Sequence, residues 1–364
     1  MRIVSEKYIA IEGGMNVKKG MLKLVSVWLV LAALLICVLA PVSVKAADHE
    51  HEFVDGLCTV CGKYEVSFSS RIPIKDKLTK DIEEKGTIET LEYSTRAYAA
   101  EKDGEEIPVT KHLQVYLPYG YDSSQTYNVL YLTHGAGESE YYWLNDEPVY
   151  EGTKAMGKTT KAVLNNMIKQ ELCDPLIVVA VTSITEVPDM EEQTSYHDNN
   201  GFAQELRNDI VPFVESQYST YAQGDVSEEN LIATRDHRGF AGFSMGGGVT
   251  ASQVMMPNLD MFSWFGTYSP AFGEEVFPYT PEDFQAALES FGLENYPIHY
   301  WFNGDGTADF VLDSHVAFNT KVLELMPDWF QDGKNYAWIE FKGGSHAYNC
   351  WIVDLYDSLL VFFK

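Results

Sequence analysis

The chain has 364 residues, 46% of them hydrophobic and 13% aromatic, which is enough apolar material for a large core, and its length permits two domains. A formal net charge of −27 argues against a nucleic-acid partner, whose phosphates would be repelled at long range. What remains is a soluble protein whose partner is neutral or cationic.

The first element reads as a targeting signal. MLKLVSVWLVLAALLICVLAPVSVKAADHE sets Lys23 ahead of a long apolar run from Leu24 to Ala40, then Pro41, then Val44 and Ala46 at the spacing signal peptidase reads. Residues 1–46 are therefore expected to direct export and be cleaved after Ala46, with Met21 as a plausible true start. The opposing reading is a retained membrane anchor, since roughly 17 apolar residues is the lower limit for a span. Residues 47–85 read as a short appendage and linker. There Cys58 and Cys61 form a CxxC preceded by His49 and His51. Two thiolates and two imidazoles can complete a tetrahedral zinc site, but in an exported protein a local disulfide is equally open. Cys173 and Cys350 read as buried thiols or a single bridge.

From about residue 86 to residue 364, strand and helix signals alternate. HLQVYLPYGYD, YNVLYLTHGAG, PLIVVAVTS, HRGFAGFS, FSWFGTYSPAF, IHYWFNGDG and NYAWIEFKGGSH predict strands; TKAVLNNMIKQEL, GFAQELRNDIVPFVESQYS, MGGGVTASQVMM and VLDSHVAFNTKVLEL predict helices. The insert GDVSEENLIATR reads as a surface loop. Strand–helix alternation implies a mostly parallel sheet covered on both faces, with its chemistry at the carboxyl ends of the strands.

At one such end lies GFSMG, Gly242 to Gly246, a G-x-S-x-G on a strand-to-helix junction. A turn this tight strains the serine backbone and lifts the hydroxyl clear of the sheet, beside the positive end of the following helix. Ser244 is the expected nucleophile, and it needs a base. Among nine histidines, the chain order serine, acid, histidine leaves His315 and His346, and His346 sits in a glycine-rich loop just past the final strand. The carboxylate that orients the imidazole belongs after IHYWF, where spacing alone leaves Asp305 and Asp309 open, with Asp313 downstream. The oxyanion needs N–H donors: Met245, after the nucleophile, and Ala136 or its neighbour Gly137 in the HGAG turn opened by His134. Trp143, Tyr268 and Trp351 could present rings to a substrate, although core packing is the commoner role for each.

DIVPFVESQYSTY with DHRGFAGFSMGGG, VLYLTHGAGESEYYW and GGSHAYNCW together resemble the nucleophile, oxyanion and histidine regions of bacterial feruloyl esterases and related members of the first carbohydrate esterase family. The resemblance implies an α/β-hydrolase fold over residues 86–364 and a secreted, cofactor-free serine esterase. Its substrates would be ester substituents of plant cell-wall polysaccharide, typically feruloyl groups on arabinoxylan. An acetyl xylan esterase, or another acyl esterase or acyltransferase of the same fold, is the alternative. The family's acid lies in a G-T-x-D loop matched here by Gly306, Thr307, Ala308 and Asp309, which favours Asp309; the extra GDG ahead of it departs from the pattern.

Overall fold

A computed structural model describes residues 53–54, 57–58, 72–101, 105–186, 201–272 and 277–364. In the amino-terminal segment, β1 (Phe53–Val54) and β2 (Leu57–Cys58) pair antiparallel. The main sheet has eight strands: β3 (Thr87–Arg96), β4 (Pro108–Leu117), β5 (Asn128–Thr133), β6 (Leu176–Val181), β7 (Arg238–Phe243), β8 (Trp264–Tyr268), β9 (Tyr300–Gly306) and β10 (Tyr336–Phe341), in the spatial order β10-β9-β8-β7-β5-β6-β4-β3. Strands β5 to β10 are mutually parallel, and β4 runs antiparallel to both β3 and β6.

Every residue of β5, β6 and β7 is buried, because helices cover both faces of the sheet. Side chains alternate between the two cores as a strand's period of two requires. Val129 and Tyr131 of β5 join one cluster with Phe240 and Phe265; Leu130 and Leu132 join the other with Ala241 and Phe243. The first cluster is closed by the helix over 202–215, α2, through Leu206, Ile210 and Val214, and by α4 over 245–255. The second is closed by α1 (Gly157–Lys169) and α7 (Tyr348–Leu359), through Val163, Met167, Trp351 and Leu355. Two further helices, α5 (Pro281–Phe291) and α6 (Leu312–Leu325), place Phe284, Leu288, Phe318 and Val322 in the first cluster. The strand order reverses between β5 and β7, and a crevice at the carboxyl ends of two such strands is where open α/β sheets hold ligands.

Two sequence expectations change here. GDVSEENLIATR is more than a surface loop: it contains α3 (Glu228–Ala233), with Leu231 and Arg235 buried. The last part of the expected linker is fastened down, since Asn166 Nδ2 donates to the carbonyls of Leu78 and Lys80 and the Ile72 N–H donates to Asp357. Cys173 and Cys350 are buried thiols with no disulfide between them, the first of the two readings the sequence left open. Among the described residues no helix is long and apolar enough to cross a membrane; the apolar run at 24–40 lies outside them.

At the foot of the nucleophile strand, the Arg238 guanidinium is buried against the Glu215 carboxylate and also donates to the Leu231 and Met261 carbonyls at 2.9 and 2.7 Å. Truncating one partner leaves a buried charge uncompensated, which costs about 3–5 kcal/mol. Glu215→Ala should lower the unfolding free energy by that amount in urea titration. A loss below about 1 kcal/mol would show that the remaining acceptors suffice.

Candidate active site

Ser244 occupies the turn between β7 and α4 with φ 55° and ψ −122°, a left-handed conformation that L-residues rarely hold. Its N–H donates to the Tyr268 carbonyl at 2.8 Å, and its own carbonyl accepts from the Gly247 N–H at 3.0 Å. These bonds hold the residue against its strain. The flanking glycines follow from contact: a Cβ on Gly242 would lie 2.5 Å from the Gly246 carbonyl oxygen, and one on Gly246 would lie 2.5 Å from that of His134. Side chains on both sides of the serine are buried while the serine itself is partly exposed, so the hydroxyl stands clear of the sheet.

The structure brings His346 and Asp309 to this hydroxyl. His346 Nε2 lies 2.8 Å from Ser244 Oγ, and Nδ1 lies 2.9 and 3.0 Å from the two oxygens of Asp309. With the ring proton on Nδ1 donating to the carboxylate, Nε2 is left to accept from the serine. The acid and histidine loops are laced together by backbone bonds. The Ala308 N–H donates to the Gly344 carbonyl at 2.8 Å, the Thr307 N–H to the Phe341 carbonyl at 2.9 Å, and the Gly343 N–H to Thr307 Oγ1 at 2.7 Å. The loops after β9 and β10 are thus one unit, carrying both side chains to the serine at the end of β7. Burial alone would raise the Asp309 pKa. Hydrogen bonds from His346 and the Val311 N–H, with the charge of His346, outweigh burial and hold the carboxyl below its usual value.

The other two acid candidates lie elsewhere. Asp313 is exposed at the start of α6. Asp305 is fully buried, with one oxygen accepting from the Gly306 N–H at 2.7 Å and the other 3.0 Å from His315 Nδ1. His315, the competing histidine, is itself fully buried: its Nε2 is 3.2 Å from Asn303 Oδ1, and the rings of Phe272 and Trp338 enclose it. Burial first, and then the charge of Asp309, push Asp305 up to about 8, while burial holds His315 well below its ordinary value. At neutral pH the pair carries one proton and no net charge, Asp305 donating to Nδ1 and Nε2–H donating to Asn303. The GDG departure noted in the sequence is therefore the entry of a second, neutral Asp–His pair behind the acid loop.

This pair has a pH signature. Above the ordinary histidine value of 6.5 the unfolded chain has released both protons, whereas the native pair keeps one until about pH 8. The pair's contribution to stability therefore falls as pH rises through that window, by about 2 kcal/mol at 1.36 kcal/mol per unit. Below 3.8, the ordinary carboxyl value, it falls again because the unfolded chain binds the extra proton. In Asp305→Asn the alkaline decline should vanish: the wild-type urea midpoint drops between pH 6.5 and 8 and the variant's does not. Parallel midpoints would refute the neutral pair.

At the oxyanion side, Met245 opens α4, where first-turn N–H groups have no intrahelical acceptor. Ala136 and Gly137 are exposed in the turn after β5, which is closed by a Glu138 N–H to Gly135 carbonyl bond of 3.3 Å. His134 is buried beneath this turn, with Nδ1 2.8 Å from the Gly135 carbonyl and Nε2 2.7 Å from Thr182 Oγ1. Burial lowers its pKa to about 4, so it is a neutral brace for the turn; the sequence marked this histidine without indicating that task.

The three aromatic candidates are corrected. Trp143 is buried with its indole N–H donating to the Thr133 carbonyl at 2.9 Å, and Tyr268 is fully buried with its hydroxyl 2.8 Å from Ser358 Oγ. Both fill the core, and neither presents a face to a ligand. Trp351 is also nearly buried: it stacks on Phe243 at 4.0 Å and meets the His346 ring edge-on at 5.1 Å. It supports the imidazole from below. A strongly exposed ring at the site is Phe310, which sequence reasoning passed over. Among the described residues no group of His, Cys, Asp and Glu is arranged to hold a metal ion. Of the expected zinc ligands, Cys58 ends β2, while His49, His51 and Cys61 lie outside the described residues.

The Esterase family model matches residues 104–360, and the chain belongs to that family. Over 267 residues, 70% of this chain and 22% of the relative, it is 31% identical to endo-1,4-beta-xylanase Y of Acetivibrio thermocellus. It is 28% identical over 160 residues, 43% of this chain and 19% of the relative, to an endo-1,4-beta-xylanase/feruloyl esterase of Xylanibacter ruminicola. The chain thus spans only about a fifth of the length of these curated relatives. Among solved structures, a mutant feruloyl esterase module from Clostridium thermocellum complexed with sinapinate superposes with a TM-score of 0.64 at 27% identity, covering 81% of this chain and 94% of that one. A CE1 ferulic acid esterase from Anaeromyces mucronatus shares the fold, with a TM-score of 0.58 at 21% identity over 80% of this chain and 96% of that one. The architecture is that of an α/β-hydrolase. The class that family and fold define is a serine carboxylic ester hydrolase.

Proposed function

We propose that this chain hydrolyses ester substituents of plant cell-wall polysaccharide, feruloyl groups foremost, through an acyl-enzyme on Ser244. The observation that carries the reading is the continuous line of contacts from Ser244 Oγ through the His346 ring to Asp309. Ser244 Oγ attacks the ester carbonyl carbon as His346 Nε2 takes its proton. The resulting oxyanion is received by the N–H groups of Met245 and of Ala136 or Gly137. On collapse the carbon–oxygen bond to the sugar breaks and His346 returns the proton to the departing alcohol. Water then repeats the attack with His346 as base, releasing the acid and restoring the serine. Asp309 holds the ring in the required tautomer and stabilises its protonated form.

Feruloyl esterase modules among the relatives and structural neighbours support the acyl preference, and the xylanase relative supports a xylan setting. A cell-wall polymer lies outside the cell, so export through residues 1–46 belongs to the same proposal. The test is hydrolysis of methyl ferulate beside 4-nitrophenyl acetate. Methyl ferulate should be turned over with the higher kcat/KM; turnover of the acetate alone would replace the feruloyl reading with the acetyl one.

A further inference from the structure

Phe310 is 81% exposed, the most of any large hydrophobic side chain among the described residues. Its chain neighbours Asp309 and Val311 are buried, so the loop fixes its backbone while its ring stands in solvent. That ring lies 4.5 Å, centroid to centroid, from the imidazole of His346, inclined by 49°. An aromatic ring left in water forgoes the free energy of its burial, and one placed beside a reactive histidine is positioned to recover it from a ligand.

Ester cleavage divides the space around Ser244 into distinct sectors. The acyl carbon bonds to Oγ, and the carbonyl oxygen turns toward the N–H donors of Met245 and residues 136–137. The leaving oxygen must come within hydrogen-bond reach of His346 Nε2, because that nitrogen returns its proton. The alcohol half of the ester therefore extends along the imidazole. Asp309 occupies Nδ1 of that ring and the nearly buried Trp351 meets it edge-on, which leaves the exposed Phe310 as the ring lying along the alcohol's path. We propose that Phe310 is the platform for the sugar that carries the ester, packing against its C–H groups, and that it selects carbohydrate esters over esters of small alcohols. The inference rests on the esterase reading of the site and adds which half of the substrate this ring recognises.

The test compares kcat/KM on methyl ferulate with kcat/KM on a feruloyl ester of an arabinose-bearing xylo-oligosaccharide, for the wild type, Phe310→Ala and Phe310→Tyr. In Phe310→Ala the ratio of sugar ester to methyl ester should fall about tenfold, the order expected for one ring contact. The loss should lie mainly in KM, and Phe310→Tyr, which keeps the ring, should restore the ratio. An unchanged ratio would overturn the inference, as would a larger loss on methyl ferulate, which would give the ring to the acyl half or to support of His346. A wild type inactive on both esters would instead remove the esterase reading, and this inference with it.

Discussion

Ser244→Ala should abolish ester hydrolysis almost entirely, with kcat on methyl ferulate falling roughly 10⁶-fold, the order lost when the nucleophile of an unrelated serine hydrolase is removed. The size follows from the mechanism. Without Oγ there is no acyl-enzyme, so the reaction must proceed by direct attack of water, aided only by substrate binding and by the N–H donors at Met245 and the 136–137 turn. The change removes one partly exposed atom, and the backbone bonds from Ser244 to Tyr268 and Gly247 do not involve it. The variant should therefore fold and still bind ferulate. Loss of activity with binding retained would separate chemistry from folding, whereas a fall of less than about tenfold would mean that Ser244 is not the nucleophile.

The second large effect concerns the acid. Asp309→Asn should lower kcat by about 10⁴. An amide at that position can donate to Nδ1 as well as accept from it, and donation places the ring proton on Nε2, the atom that must receive the serine proton. Asp305→Asn, measured in the same assay, should change kcat by less than about tenfold, because Asp305 faces His315 rather than His346 and the amide keeps the site neutral. Reversed magnitudes would give the orienting role to Asp305 and contradict the geometry of the loop after β9. The paired measurement separates two carboxyls only four residues apart in sequence.

Much of this was legible in the sequence because the chemistry demands particular residues at particular junctions. A continuously apolar run such as LIVVAV has few alternatives to a strand buried on both faces, and it forms β6. Gly242 and Gly246 bracket the serine because no side chain fits there, and that constraint is written in the one-letter code. Asp305 and Asp309 could not be separated by spacing, since the sequence does not show that β9 runs on to Gly306 and so holds Asp305 within the strand and Asp309 beyond it. Their difference arises from contacts across the sheet, with His315 on α6 and with His346 beyond β10. Trp143 and Tyr268 were offered as substrate contacts, with core packing the commoner role, and could not be placed for a similar reason. An aromatic residue beside a strand end can point into the core or into the crevice, and only the fold decides; for these two it chose the core. Phe310 escaped notice because a phenylalanine next to an aspartate carries no periodic or motif signal, and its meaning comes wholly from exposure beside His346.

The most direct measurement is to treat the protein with a fluorophosphonate and locate the adduct by peptide mass mapping. A serine activated by His346 should displace fluoride and form an oxygen–phosphorus bond stoichiometrically, with the label confined to the peptide containing residue 244 and absent from Ser244→Ala. Labelling elsewhere, or none while ester turnover continues, would contradict the account.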